Sequence, residues 1–248
     1  MSTIYILWLR QLKRYLRSKA RIVGSLAQPL LFLVAMGFGF GPFFQKAGQG
    51  NYMEFLSPGI IAMSILFTAI FTGIDMIWDR QFGFLKETFV APVPRSYIIT
   101  GRVLGGATVA AIQGAIVLAL TFIFGFRVGN WFLIPATLVI MLVVATLFAA
   151  LGSAIATQLE DMQGFQLIMN FLVMPMFFFS GALFPLNGLP SILTIVARFD
   201  PMTYGVDSLR VLLTSAGGMA LSPSIIVLFV LAAGLLWLTT VLFSRMEL

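Results

Sequence analysis

Long apolar stretches alternate with short polar connections along most of the 248 residues. A helix needs about 20 apolar residues to cross the hydrocarbon core of a bilayer, and six stretches reach that length. They cover residues 22–41, 58–78, 103–125, 132–157, 165–184 and 224–243. The pattern predicts an all-α membrane protein, with residues 1–248 forming a single transmembrane domain of six transmembrane helices.

Composition narrows the possible functions. Apolar residues make up 60% of the chain and charged residues 10%, against about 45–50% and about 25% in soluble domains. The chain has no Cys and no His, and therefore no thiol nucleophile and no imidazole for metal binding or proton transfer near neutral pH. The phosphate-binding pattern G-x-x-x-x-G-K-[ST] is also missing. We expect no catalytic residue, no metal site and no cofactor bound by this chain, which is not an enzyme by itself.

Residues 4–19 are too polar to span a membrane but are strongly amphipathic. Six Lys and Arg residues fall within residues 1–21, and no acidic residue does. On a helical wheel the apolar face comprises Ile4, Tyr5, Trp8, Leu9, Leu12, Tyr15 and Leu16, and the opposite face carries Arg10, Lys13, Arg14, Arg17 and Arg21. The pattern predicts an interfacial helix on an anionic leaflet. The alternative, the charged start of a signal peptide, is disfavoured by the length of the apolar run that follows.

Residues 185–222 are ambiguous, because they contain apolar runs together with Arg198, Asp200, Asp207 and Arg210. Each such charge costs about 2.5–3.5 kcal/mol at the centre of a transmembrane helix, and Pro201 would interrupt a seventh span. We therefore predict two short helices that form a re-entrant hairpin at the outer face. Asp200 is placed to cap the second helix, with Pro201 at its first position. Asp207 and Arg210 are three residues apart, a spacing at which they could pair weakly.

The distribution of Lys and Arg predicts the topology. With six spans, both termini lie on one side together with residues 79–102, and that side carries all but four of the 15 Lys and Arg residues. The four on the other side are Lys46, Arg127, Arg198 and Arg210. Cytoplasmic loops carry the excess of positive charge, so both termini are predicted to be cytoplasmic in a multi-pass protein.

The predicted spans contain neutral polar residues and few charges. Five of these residues form a possible substrate path, namely Thr68, Thr72, Gln113, Gln166 and Asn170. Hydrogen bonding between helices is the favoured explanation for them. A self-sufficient secondary carrier or channel is the alternative function, but such carriers usually have repeated halves and ionisable groups near the midplane. We find neither feature in this sequence.

Two further features concern helix packing. Gly101 and Gly105 form a G-x-x-x-G pattern, which lets two helices approach closely, and we expect that contact to lie within the bundle. Asp75 lies about one turn from the end of the second span, where we expect water or Arg80 to reach it.

The connection at residues 79–102 contains a short amphipathic helix. An apolar stripe of Phe82, Leu85 and Phe89 at helical spacing is flanked by charges that include Lys86 and Glu87, and Pro92 and Pro94 follow. Between two spans, such a helix has little of its own to pack against. We expect it to contact a partner protein or the base of the bundle.

At this point the sequence resembles the membrane subunits of type-2 ABC exporters, in the branch of the drug-resistance and nodulation-factor export permeases. Three features carry the resemblance. They are the basic amphipathic N-terminal helix, the loop pattern from Asp79 to Arg95, and the segment from Leu183 to Arg210 that contains LFPLNGLPSI and DPMTYGVDSLR. Two positions depart from the family pattern, since Phe84 replaces a residue that is often Thr, and Asp200 replaces a common Asn.

The resemblance implies a permease of a prokaryotic cytoplasmic (inner) membrane that works as a homodimer with a separately encoded P-loop ATPase. ATP and magnesium would be bound by that ATPase. Hydrophobic or amphipathic substrates, such as drugs, lipids or glycoconjugates, would be moved outward. Within this chain, the resemblance implies an ATPase-coupling contact at Phe82, Leu85, Lys86, Glu87 and Phe89, and an outer re-entrant motif at Asp200, Pro201, Tyr204, Asp207 and Arg210.

Overall fold

The computed structural model describes residues 2–46, 48, 50–186 and 190–246, and this part of the chain contains helices and no strand. In chain order the helices are α1 (Ser2–Arg17), α2 (Lys19–Lys46), α3 (Tyr52–Gln81), α4 (Phe84–Val90), α5 (Arg95–Ile123), α6 (Ile134–Thr157), α7 (Met162–Ile168), α8 (Met174–Phe179), α9 (Ser191–Phe199), α10 (Pro201–Thr214) and α11 (Leu221–Ser244). A 3₁₀ turn at Trp131–Leu133 precedes α6, and a π-helical turn at Met169–Val173 joins α7 to α8.

Six helical stretches in the described part of the chain have the length and apolarity of a membrane span. They are α2, α3, α5, residues 131–157, residues 162–179 and α11. The prediction of an all-α membrane protein with six spans is therefore confirmed. Several helices extend beyond the predicted runs, and α5 begins at Arg95. The non-helical part of the connection at 79–102 is consequently much shorter than predicted.

The bundle has two ends that are referred to below by their distinctive elements. The α4 end contains α4, the C-terminal end of α3 and the N-terminal ends of α1 and α5. The hairpin end contains α9, α10 and the N-terminal ends of α3 and α11. By the distribution of Lys and Arg, the α4 end is the one predicted to face the cytoplasm.

Helix α3 forms the centre of the bundle and packs against α2, α5, α6 and α10. Most of its residues are buried, which explains why its sequence is apolar on all sides. Small residues allow its closest crossing, because a Cβ atom on Gly73 would overlap the backbone carbonyl of Gly152 in α6. Helices α2 and α11 are mostly exposed, as expected for helices that face lipid or another subunit.

Helix α1 packs along α5 in a parallel orientation. A Cβ atom on Gly101 would lie 2.9 Å from the Ile4 carbonyl oxygen, and one on Gly105 would lie 2.8 Å from Gln11 Cβ. In the same contact, Trp8 Nε1 donates a hydrogen bond to Thr108 Oγ1 at 2.9 Å. The G-x-x-x-G pattern therefore serves a contact within the chain, as predicted.

The packed face of α1 differs from the predicted apolar face. Leu7 lies outside the predicted face but is buried, whereas Tyr5 and Leu16 belong to it and are exposed. The reason is that the packed face is selected by the two glycines of α5, which accept the backbone and Cβ atoms of α1. The position of α1 at the membrane surface remains a prediction.

Helices α9 and α10 form two short, consecutive elements where the sequence predicts a re-entrant hairpin, although residues 187–189 lie outside the described part. Helix α10 packs against α3, α6 and α11. Gly205 near its start lies against Val144, well inside α6, whereas the Leu213 carbonyl near its end accepts a hydrogen bond from Gly129 N in the connection before α6. Helix α10 therefore runs from the interior of the bundle towards the hairpin end, and the depth of its tip in lipid remains a prediction.

Candidate functional site

Helix α4 presents two different faces at its end of the bundle. Gly83 has a φ of +79°, in the left-handed region that favours glycine, and it turns the chain sharply between α3 and α4. Leu85 is fully buried, and the Phe89 ring packs edge-on against Phe243 of α11 with 5.3 Å between centroids. These two side chains anchor α4 to the base of the bundle.

The opposite face of α4 is exposed and apolar. Phe82, Phe84 and Val90 are 64%, 53% and 85% exposed. The Phe82 ring stacks on Trp78 with 5.2 Å between centroids. The predicted stripe of Phe82, Leu85 and Phe89 is therefore divided, since only Phe82 remains available to a partner. We refer to Phe82, Phe84 and Val90, with the exposed charges of Lys86 and Glu87, as the α4 surface.

The connection between α6 and α7 lies beside the α4 surface. Arg80 Nη2 forms an ion pair with Glu160 Oε1 at 3.0 Å, and Gln81 Nε2 donates a hydrogen bond to the Glu160 carbonyl oxygen at 3.1 Å. Asp161 caps α7 by accepting a hydrogen bond from Gly164 N. These contacts attach a second connection at the same end of the bundle to the last turn of α3.

A cluster of ion pairs joins α1, α2 and α5 to α3 at this end. Asp75 lies 3.3 Å from Arg14 and 3.4 Å from Arg21, and Asp79 lies 3.4 Å from Arg10. The buried guanidinium of Arg102 also pairs with Asp79. Asp75, where water or Arg80 was expected, pairs with Arg14 and Arg21, and Arg80 forms an ion pair with Glu160.

A half-open cavity of about 460 Å³ lies between α2 and α3. Its lining combines polar and apolar side chains. The polar residues are Tyr15, Arg21, Ser25, Gln28, Ser64 and Thr68, and the apolar residues include Met63, Phe67 and Phe71. Its size is within the range of small-molecule sites. Of the five residues of the predicted substrate path, only Thr68 lines this cavity.

The other four residues of the predicted path lie in different parts of the bundle. Thr72 Oγ1 donates to the Ala69 carbonyl at 2.6 Å, and Gln113 is fully buried with its Oε1 accepting from Tyr15 Oη at 2.5 Å. Gln166 and Asn170 are exposed on the α7–α8 stretch. The five residues therefore do not line one continuous path within the described part of a single chain.

Sequence reasoning did not predict the polar residues that line the α2–α3 cavity. Ser25 and Gln28 interrupt the first apolar run immediately before Pro29. Polar residues beside a proline in a transmembrane run are a detectable signal for a cavity or a contact between helices. Arg21 and Tyr15 could not have been assigned this way, because their positions depend on how α1 packs.

The hairpin motif uses its charged residues locally. Asp200 Oδ1 caps α10 by accepting from Met202 N at 2.8 Å, and Pro201 is the first residue of the helix, as predicted. Tyr204 Oη donates to the Arg198 carbonyl at 2.7 Å. Burial raises the pKa of Asp200 to about 7, because desolvation disfavours the charged carboxylate more than the hydrogen bond from Met202 favours it.

The proposed pairing of Asp207 with Arg210 is wrong. The Asp207 carboxylate accepts hydrogen bonds from Gly218 N at 2.7 Å and Met219 N at 3.1 Å. Arg210 Nη2 donates to the Gly181 carbonyl at 2.9 Å, and its guanidinium lies over the Phe55 ring at 4.0 Å from the centroid. Each side chain therefore holds a different loop at the hairpin end.

Comparisons with known proteins agree on one family. A family model described as "ABC-2 type transporter" matches residues 2–214. Nodulation protein J of Rhizobium leguminosarum bv. trifolii is 28% identical over 195 residues, which cover 77% of this chain and 73% of the relative. The inner membrane transport permease YadH of Escherichia coli (strain K12) is 26% identical over 207 residues, which cover 82% of this chain and 80% of the relative. The putative transport permease ycf38 of Cyanophora paradoxa is 26% identical over 225 residues, which cover 86% of this chain and 74% of the relative.

Proposed function

The chain belongs to the ABC-2 type transporter family, and we propose that it is the membrane subunit of an exporter powered by a separate ATPase. As a family member it is an integral membrane transport permease and not an enzyme by itself. The chain lacks the G-x-x-x-x-G-K-[ST] pattern with which ATPases bind nucleotide phosphates. ATP and magnesium would therefore bind to the ATPase, and the force of hydrolysis would have to cross a contact between two proteins.

The observation that carries this proposal is the α4 surface. Exposed aromatic side chains at the centre of a contact usually supply most of the binding energy of an interface. Phe82 and Phe84 have this character, while Leu85 is buried in the base of the bundle and Phe89 packs against Phe243 of α11. A push on the exposed face of α4 would be transmitted through the buried face to the bundle. This division of α4 supports its role as the coupling helix.

The α2–α3 cavity supports a substrate that is hydrophobic or amphipathic. The polar residues of its lining offer hydroxyl and amide groups, and the apolar residues offer aromatic and methionine side chains. Methionine and aromatic surfaces adapt to varied apolar ligands. Outward transport and a location in a prokaryotic inner membrane, with both termini cytoplasmic, complete the proposal.

A homodimer would account for the exposed polar groups of the α7–α8 stretch. Gln166 and Asn170 are exposed on a helical stretch with the composition of a membrane span. Amide groups facing hydrocarbon are unfavourable unless they find hydrogen-bond partners. The same stretch of a second copy offers matching donors and acceptors around a two-fold axis.

The α4 surface can be tested by removing its two aromatic rings. In a Phe82→Ala/Phe84→Ala double variant, we expect ATPase binding to weaken by about 30-fold, corresponding to a truncation cost of about 2 kcal/mol. Substrate-stimulated hydrolysis in nanodiscs should fall with it, while the thermal midpoint of the permease stays close to that of the unmodified protein. Binding would be measured by surface plasmon resonance with the candidate ATPase subunit.

Two variants separate coupling from folding. Phe132→Ala removes an aromatic ring that is 93% exposed at the other end of the bundle, and it should leave ATPase binding unchanged. Leu85→Ala should instead lower stability by about 2–5 kcal/mol, because it opens a cavity in the core. Unchanged ATPase binding in a well-folded Phe82→Ala/Phe84→Ala variant would place the contact elsewhere, and the Glu160–Asp161 connection would be examined next.

A further inference from the structure

A larger cavity than the α2–α3 cavity lies at the hairpin end. Its volume is about 810 Å³, and it lies between α10, the connection at residues 216–220 and the start of α11. Arg198, Thr203, Tyr204, Asp207 and Arg210 contribute its polar surface. Phe44, Phe55, Pro185 and Leu186 contribute an apolar border. The cavity is large enough to hold a lipid headgroup or a molecule of similar size.

The cavity contains more cationic than anionic groups. Two guanidinium groups line it, and within the described residues no carboxylate lies within ion-pair distance of either one. Asp207 is the acidic residue in the lining, and both of its oxygens already accept backbone hydrogen bonds from Gly218 and Met219. The negative charge of Asp207 is thus held at the edge of the cavity by a loop and does not pair with an arginine.

Hydrogen-bond donors in the lining also exceed the acceptors. Arg210 uses Nη2 for the Gly181 and Phe55 carbonyls, and within the described residues its Nε and Nη1 have no hydrogen-bond partner. The hydroxyl of Thr203, a residue that is 1% exposed, has none either. Burial lowers the pKa of Arg210 to about 10, and the negative charge of nearby Asp207 opposes this shift only in part.

We propose that this cavity is a binding site for an oxyanion, such as a phosphate group, that is held by the guanidinium groups of Arg198 and Arg210. Guanidinium groups match the geometry and charge of phosphate through paired N–H donors. The apolar border formed by Phe44 and Phe55 fits a ligand whose phosphate is attached to acyl chains, although free phosphate has the same recognition chemistry. The inference concerns binding to the purified chain and does not rest on the proposed transport function.

The test is a titration of the purified full-length chain in an uncharged detergent. The probes are inorganic phosphate, dihexanoyl phosphatidylglycerol and, as a neutral analogue, dihexanoylglycerol, and calorimetry gives the affinity of each. We expect saturable binding of at least one phosphate-bearing probe and none of dihexanoylglycerol. Binding of inorganic phosphate and of the phospholipid would indicate a general oxyanion site, and binding of the phospholipid alone would identify a lipid headgroup as the ligand.

Arg198→Gln is the decisive variant, because Arg198 is exposed and its side chain supports no other described element. Loss of one charge-assisted contact should weaken binding about tenfold or more. Arg127→Gln is the matched control, since Arg127 is an exposed cation in the α5–α6 connection and lies outside the cavity lining. The proposal is overturned if neither phosphate-bearing probe binds saturably, or if the two variants bind equally well.

Discussion

At the α4 end Asp75 and Asp79 lie opposite guanidinium groups, whereas at the hairpin end Asp200 and Asp207 lie opposite backbone N–H groups. The four carboxylates are almost equally buried, at 5%, 5%, 6% and 6% exposure. A buried charge needs compensation wherever it lies. Both ends therefore compensate buried carboxylates, the α4 end with guanidinium groups and the hairpin end with backbone N–H groups.

The two solutions have different mechanical consequences. The guanidinium groups at the α4 end belong to α1, α2 and α5, so that the ion pairs connect separate helices to α3. The hydrogen bonds at the hairpin end shape single turns, namely the first turn of α10 and the connection at residues 217–219. Ion pairs between helices can exchange partners when the helices shift, whereas a capped turn keeps its shape. The α4 end is thus the better site for a contact that must transmit movement.

The largest effect is expected from breaking the Arg102–Asp79 pair. Arg102→Ala leaves a buried carboxylate that retains only the half-exposed Arg10, and removing one partner of a buried pair costs about 3–5 kcal/mol. We expect a lower yield of monodisperse protein and a lower thermal midpoint in detergent. Asp79→Leu/Arg102→Met, which removes both charges, should recover much of the loss.

The matched control for this prediction is Arg17→Ala, because Arg17 is exposed and has no ion pair within the described residues. It should change the thermal midpoint little. If Arg102→Ala is as stable as Arg17→Ala, the ion pairs contribute little to holding the helices together, and the contrast between the two ends loses its energetic basis.

An intermediate effect is expected from exchanging Asp207 and Arg210. Asp207→Ala removes two charge-assisted hydrogen bonds, and we expect a loss of about 2 kcal/mol. The double exchange Asp207→Arg/Arg210→Asp should be no more stable than the worse single variant, since each residue has its own backbone partners. Chemical unfolding in detergent would compare the variants. Recovery of stability in the double exchange would show that the two charges act as a pair after all.

Sequence reasoning succeeded where the signal is local. The six spans follow from the lengths of apolar runs, and the cap at Asp200 follows from an acidic residue directly before Pro201. The short helix α4 follows from its spacing and from the prolines after it. Each of these features is determined by neighbouring residues, so the sequence contains the information without knowledge of the fold.

The partners of the charged residues could not be predicted in the same way. Arg80 is five residues after Asp75 and therefore points to a different side of α3, while Arg14 and Arg21 reach Asp75 only because α1 packs against α5. The glycines at 101 and 105 indicate a close neighbour without identifying it. Likewise, Phe89 is taken out of the exposed stripe by its packing against Phe243 of α11, a contact that the sequence pattern does not indicate.

The smallest effect, and the sharpest test of the hairpin end, concerns the cap at Asp200. Asp200→Ala removes the acceptor for Met202 N and should cost about 1 kcal/mol near pH 4, where the carboxyl is protonated in the folded chain. At higher pH the removal of the buried ionisable group offsets this cost. Asp200→Asn keeps a cap acceptor and carries no charge. The contrast between these variants separates the hydrogen bond from the burial of charge.

The pH dependence follows from the raised pKa of Asp200. Its pKa is about 7 in the folded chain against the ordinary 3.8 of an aspartate, so between about pH 4 and pH 7 the folded state binds the proton more tightly than the unfolded state. The free energy of unfolding should therefore decrease as the pH rises through this window and level off above about pH 7. Asp200→Asn should lack this contribution and gain in thermal midpoint relative to the unmodified chain between pH 5 and pH 8.5.

Asp161→Asn, at the exposed cap of α7, is the matched control and should show the same difference from the unmodified chain at both pH values. An Asp200→Asn variant that follows the unmodified chain at both pH values would mean that Asp200 is already charged at pH 5, and that backbone N–H groups compensate a buried carboxylate as fully as the arginines do at the α4 end.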